Sequence, residues 1–286
     1  MRADKSFIVR NTTLLLCLCA MLSGCAHQVA ESPKDLAFPE LSDVSIPEVT
    51  RVTLDNGMRL FLLEDHELPL INVSARIRVG SIYEPPDKIG LADITGTVMR
   101  TGGTIAKTGD ELDEELESLA ASVETGIGLN SGIASMSVLK KDIDRGLGIL
   151  ADVLISPAFR EHKIALAKMQ HQSSIARRND DPASIVSREF DKLIYGFASP
   201  YARHTEYETI GNITRSDLIE FHRKYFRPNN TMLAVWGDFD TDRMIKKMEA
   251  AFAEWEKSDV DPPAVPKVEY DYPSTVNLVT KPDINQ

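Results

Sequence analysis

Residues Gly90-Leu91-Ala92-Asp93-Ile94-Thr95-Gly96-Thr97 open a helical pattern in which Asp93, Gly96 and Thr97 share one side. Two histidines at the first and last of those places, with a glutamate beside the second, would grip a zinc ion and polarise its bound water. Aspartate can ligate zinc as one member of a set, but glycine supplies no base and neutral threonine is a poor ligand. Hydrolysis at this helix is therefore not expected. His162 and His171 fall on one later helix but stand nine residues apart, more than two turns, and cannot chelate a single ion. His171 can approach Asp93 in the fold, yet two such groups without a base make at best a weak adventitious site. His66, His204 and His222 stand in loop or amphipathic contexts, where a structural or incidental role is the default, and His27 lies in a polar stretch near the start.

The amino-terminal residues address the chain. Arg2, Lys5 and Arg10 form a basic region, Leu14 to Met21 a short apolar stretch, and Leu22-Ser23-Gly24-Cys25 resembles a bacterial lipobox. Residues 1–24 are read as a lipoprotein signal peptide cleaved before Cys25, whose thiol would carry diacylglycerol and whose new amino terminus would be acylated for stable anchoring in the lipid bilayer. Ala26 after the cysteine resembles outer-membrane sorting, giving a lipid-anchored protein of the bacterial cell envelope that faces the periplasm. An uncleaved transmembrane helix is the competing reading, but the apolar run falls short of the roughly 20 residues a bilayer needs. Cys17 and Cys19 would leave with the signal peptide, so no disulfide or cysteine metal site remains.

Formal net charge is -11, and loss of residues 1–24 would leave about -13, which excludes nucleic acid as a plausible partner. With 43% hydrophobic residues the chain can bury a sizeable core. Residues 25–47, polar and dotted with proline, read as a tether. Beyond them the periodicities predict a hairpin across Asn56-Gly57, a third antiparallel strand over Ile71–Val79, and a helix over 90–102 with Leu91, Ile94 and Val98 inside. Thr108 and Glu111 form a capping box for a helix stacked with Asp110, Glu111, Asp113, Glu114, Glu115 and Glu117. Strands follow over Ser122–Ile127 and Gly132–Leu139. Helices then run over 143–155, 161–178 and from Asp181-Pro182 with Ile185, Phe190 and Leu193 inside. Thr214 and Asp217 cap another helix, Thr231–Trp236 is a strand and Asp240–Trp255 a last helix. The order fits an α+β fold, a layered antiparallel sheet packed with helices.

A colinear set of pieces extends from Leu54-Asp55-Asn56-Gly57-Met58 through Gly90-Leu91-Ala92, Gly103-Thr104, Pro157-Ala158-Phe159, Asp180-Asp181-Pro182 and Pro200-Tyr201 to Tyr225, Pro228-Asn229-Asn230 and Gly237-Asp238. Together they resemble the first unit of the insulinase and pitrilysin zinc peptidases over residues 48–256. The resemblance implies a unit of the mitochondrial processing peptidase kind, used in pairs that close around a peptide. It also implies a third zinc ligand, a glutamate roughly 75 to 80 residues after the first motif. Here that position falls at Ser174, or at Ser173 if the register slips. Asp93, Gly96, Thr97 and Ser174 thus all depart from the family's ligand and base set. No cofactor is expected in this unit, and zinc is assigned to a partner chain.

In the family a peptide adds a strand to the sheet edge beside the zinc helix. By alignment that edge is Val123-Glu124-Thr125-Gly126-Ile127-Gly128, with Glu124 in place of an expected asparagine. Its glycines either loosen a peptide-binding edge or merely form a turn or bulge. The acids of residues 110–117 could line a chamber or simply form a wet face. Residues 257–286 read as a linker followed by the first strand of a truncated second unit, Thr275–Thr280. Three functions stay open. One is a non-catalytic, lipid-anchored subunit that partners a ligand-bearing peptidase of the family and helps hold its peptide substrate. Another is a zinc metalloendopeptidase active by itself, and the last is a peptide-binding or scaffold lipoprotein with no proteolytic role.

Overall fold

Asn56 and Gly57 turn the chain between β1 (Thr50–Thr53) and β2 (Arg59–Glu64), with Gly57 at a φ of 87° that favours glycine and the Asn56 side chain accepting from the Met58 amide at 3.1 Å. The computed structural model describes residues 47–260, 264–265, 267–268 and 274–281. The signal peptide, Cys25, all but the last residue of the tether and much of the linker after residue 260 lie outside the described residues. No helix among the described residues is long and apolar enough to cross a membrane.

The hairpin opens a six-stranded sheet completed by β3 (Leu70–Ile77), β4 (Ser122–Ile127), β5 (Gly132–Leu139) and β6 (Thr231–Gly237), in the order β1-β2-β6-β3-β5-β4. The expectation of three successive antiparallel strands is corrected here: β6 inserts between β2 and β3, parallel to the first and antiparallel to the second. Two-residue periodicity fixes which face a strand buries but not its neighbour, and a parallel pairing such as β2–β6 needs the long crossover that residues 65–230 supply. The other pairings are antiparallel. On the covered face Leu60, Leu62, Val73, Ala75, Leu233 and Val235 are buried.

Among the described residues eight α-helices complete the α+β architecture: α1 (Leu91–Thr101), α2 (Gly109–Ser118), α3 (Ile143–Ile155), α4 (Glu161–Arg177), α5 (Pro182–Tyr195), α6 (Tyr207–Asn212), α7 (Arg215–Tyr225) and α8 (Thr241–Ala251). The predicted capping boxes of α2 and α7 are both formed. α1 packs against β4, α4 and α7, burying Leu91, Ile94 and Val98. Two expectations fail. Ile185 of α5 is buried as expected, but Phe190 and Leu193 are 58% and 55% exposed, because the helix meets the domain only along the side that carries Ile185. Thr275–Thr280 forms no strand, and Val276 and Leu278 are each 88% exposed, since an extended segment without a pairing neighbour has no ladder to join.

Candidate functional site

Two tight contacts set the position of α1. Its N-cap, Gly90, has a φ of 106° and lies where an added Cβ would stand 2.6 Å from Ile210, so only glycine fits. The buried Glu84 carboxylate caps the helix start, accepting from the Ala92 amide at 2.6 Å and the Gly90 amide at 3.2 Å. Burial pushes Glu84 up to about 7, against the pull of those two amides. Gly96, in the middle of α1, makes the second contact. A Cβ there would lie 2.5 Å from the Ile127 amide nitrogen and 2.9 Å from the Gly126 Cα, so helix and strand backbones touch directly. The Thr125 hydroxyl closes the seam by donating to the Gly96 carbonyl at 2.6 Å.

Asp93 and Thr97, one turn apart on α1, meet His171 and Ser174 of α4 around a cavity of about 160 Å³. His171 Nε2 lies 2.9 Å from Asp93 Oδ2, an ion-pair distance that brings the two helices together. The Ser174 hydroxyl donates to the Gln170 carbonyl at 3.1 Å, and Ser173 likewise to Met169 at 2.9 Å, so both turn back onto their own helix. A zinc ion does not fit this donor set. It offers one carboxylate and one imidazole already bonded to each other, two neutral hydroxyls, and a Gly96 position where strand backbone fills the room a base would need. Among the described residues no group of three or more His, Cys, Asp or Glu side chains is placed to hold a metal ion.

β4 is the sheet edge beside α1, pairing with β5 alone. The pairing runs regularly through Gly126 and Ile127, so Gly126 forms no bulge, whereas Gly128 begins the turn to β5, its amide donating to Ser131 at 2.9 Å. Glu124 points to solvent. The Val123 carbonyl accepts from the buried Arg100 at 2.7 Å, and Arg100 in turn pairs with Asp113 at 2.5 Å. The other acids of α2 are largely engaged as well: Asp110 with Lys163, Glu111 in the cap, and Glu115 with Lys107 and Arg145. Those ion pairs fit a solvated, internally balanced face.

His222 is a core histidine, its Nε2 bonded to the Leu154 carbonyl at 2.9 Å; burial lowers its pKa to about 4. His66 bridges Asp238 and Glu64 at the surface, and the Asp238 bond raises its pKa. Sequence reasoning gave Glu84 no role of its own and His204 only a structural or incidental one. They line a cavity of about 290 Å³ together with Asp93 and Arg203, whose guanidinium donates to the Glu84 carbonyl at 3.1 Å. Glu84 stands six residues before the Gly90 N-cap, and that spacing was the only signal that could have marked it as a cap.

The model for the insulinase family (peptidase family M16) matches residues 60–204, just over half of the 286-residue chain, and that for the peptidase M16 inactive domain matches residues 212–286. An uncharacterized zinc protease of Rickettsia bellii is 25% identical over 218 residues, which cover 73% of this chain and 52% of that protein. The mitochondrial-processing peptidase subunit beta of Dictyostelium discoideum is 24% identical over 222 residues, 75% of this chain and 46% of its own. The crystal structure of a peptidase M16 inactive domain from Pseudomonas fluorescens superposes with a TM-score of 0.69 at 24% identity, over 78% of this chain and 53% of that one, and shares its fold. The chain spans about half the length of the curated relatives it matches. The second match starts at the end of α6 and includes β6 at the sheet centre, so the border between the two matches falls inside one structural unit.

Proposed function

This chain belongs to the insulinase family (peptidase family M16), and on that premise we propose that it is a non-catalytic, lipid-anchored subunit which helps form the peptide-holding chamber of a zinc peptidase complex. The zinc and the catalytic base would belong to a ligand-bearing partner chain of the same family, and the acylated Cys25 would hold the complex in the bacterial envelope. One observation carries the reading. The places where ligands and base would stand are occupied by the chain's own contacts, with His171 on Asp93, the Ser174 hydroxyl on its own helix and Gly96 against β4. A degenerate centre of that kind leaves the architecture free to serve a neighbour's chemistry. The relative named as a processing-peptidase subunit supports a multi-chain arrangement.

Two surfaces support a role in assembly. β4 presents an edge to which an extended peptide could add a strand. Val186, Phe190 and Leu193 make an exposed apolar row along α5, with Phe197 just beyond it 80% exposed, and the partner subunit would cover them. The test is to purify the chain alone, a ligand-bearing family member encoded beside it, and the two together. Peptide cleavage that needs both chains, is blocked by a chelator and is weakened by Phe190→Asp is the expected result. Chelator-sensitive cleavage by this chain alone, or partner activity indifferent to its presence, would overturn the proposal.

A further inference from the structure

α5 buries only Ile185 of its apolar residues, whereas a surface helix ordinarily lays a full apolar stripe on the core. Ser184, Ser187, Arg188 and Asp191 instead line a cavity of about 430 Å³, whose other walls include Arg177 and Arg178 from the end of α4, Ser174, and His204. Val186, Phe190 and Leu193 face solvent. The volume is enough for a ligand the size of one or two residues.

The cavity holds an unmet demand. His204 Nε2 is buried without a hydrogen-bond partner, the one such side-chain atom among the described residues. An orphaned buried polar atom is destabilising unless a ligand or water satisfies it. Burial holds its pKa below the usual histidine range, helped by the positive charges of Lys192, Arg188 and Arg178 and opposed by Asp191. That shift favours the neutral ring, which has one N–H to donate. Part of the wall is already committed: Asp181 accepts from the Ser184 amide and hydroxyl at 2.8 and 2.6 Å, Arg178 grips Glu206 with two bonds of 2.8 Å, and Arg188 donates to Asn179 at 2.8 Å. Arg177 makes no side-chain hydrogen bond or ion pair among the described residues and stays available. Three arginines around one buried nitrogen stand out in a chain of net charge -11.

We infer that this cavity binds a carboxylate, the free C-terminus of an extended peptide, with His204 and Arg177 as its donors. The inference rests on the reading of this chain as a peptide-holding subunit. Ser174 is the link, since it lines both this cavity and the one between α1 and α4, so a peptide crossing the vacated centre reaches the arginines within a residue or two. An arginine beside a neutral imidazole suits a carboxylate because the guanidinium donates and the imidazole donates as well in the tautomer that carries its proton on Nε2.

The experiment follows the His204 ring by nitrogen-15 NMR in the whole chain, the resonance being assigned by its loss in His204→Gln. Three probes are titrated: tetra-alanine with a free carboxyl terminus, the same peptide amidated, and inorganic phosphate. The free acid should move the His204 signal and bind at least about ten-fold more tightly than the amide, a preference lost in His204→Gln and in Arg177→Gln. Equal binding of acid and amide would overturn the carboxylate site and leave peptide holding intact. Phosphate binding as tightly as the free acid would mark a general oxyanion pocket and overturn the assignment to a peptide terminus. If no probe moves the signal, the inference fails, and partner-dependent cleavage, measured separately, decides the broader reading. The shift in the unaltered chain needs no stable variant.

Discussion

The cavity between α1 and α4, about 160 Å³, and its neighbour beside α5, about 430 Å³, share Ser174 as a wall and differ in how their polar groups are satisfied. In the smaller one His171 pairs with Asp93, the Ser174 hydroxyl bonds its own helix, and strand backbone occupies the space beside Gly96. The larger keeps an unpartnered buried nitrogen and an unengaged arginine. A site loses its chemistry durably when neighbours move into the room its reactive groups had needed, because restoring the side chains then requires moving backbone. A cavity left open, with donors waiting, retains a capacity to bind.

The largest effect should come from rebuilding the metal site while respecting the closed seam. Asp93→His, Thr97→His and Ser174→Glu together, with Gly96 retained, place three ligands around one cavity and should take up about one equivalent of zinc, a binding free energy on the order of 10 kcal/mol, with no peptide cleavage. Metal analysis after dialysis checks the first part and a peptide assay the second; an empty triple variant would mean that α1 and α4 are not in the ligand register. Next is Gly96→Glu, which drives a side chain into the β4 backbone and should lower stability by more than about 3 kcal/mol in chemical denaturation. A variant as stable as the parent would show that the seam opens easily, and the contrast between the two cavities would weaken.

Glu84 offers a pH handle on the same helix. Its buried carboxyl holds a proton more tightly folded than unfolded, so its contribution to stability is complete below the unfolded value of 4.5 and is lost as pH rises through about 7. The difference between the stability curves of the parent and Glu84→Gln should therefore change by about 3 kcal/mol across that window; parallel curves would show that the capped carboxyl ionises normally. The smallest effect belongs to His171→Ala. Its partner Asp93 is largely exposed, so removing the bridge should cost about 0.5–1 kcal/mol, read as a small drop in melting temperature. A much larger loss would make this pair the main tie between α1 and α4.

Much of this was legible along the chain. Period-two alternation marked β2 to β6, the Thr108–Glu111 and Thr214–Asp217 boxes marked two helix starts, and the family resemblance, which sets His171 one turn before Ser174, pointed to its approach to Asp93. α5 misled, because its 3.6-residue apolar period is the same whether that face meets a core or a partner, and Phe190 and Leu193 were placed inside when they are exposed.

Residue identity alone determined that Asp93, Gly96, Thr97 and Ser174 offer one carboxylate, two neutral hydroxyls and no base, since donor chemistry is a property of the side chain and needs no coordinates. Only the tertiary structure decided that Gly96 is a contact point with β4, that β6 lies between β2 and β3, and that His204 ends beside three arginines. Each of those facts depends on which distant segments become neighbours, and local periodicity carries a face and a pitch but no address for the partner across the gap.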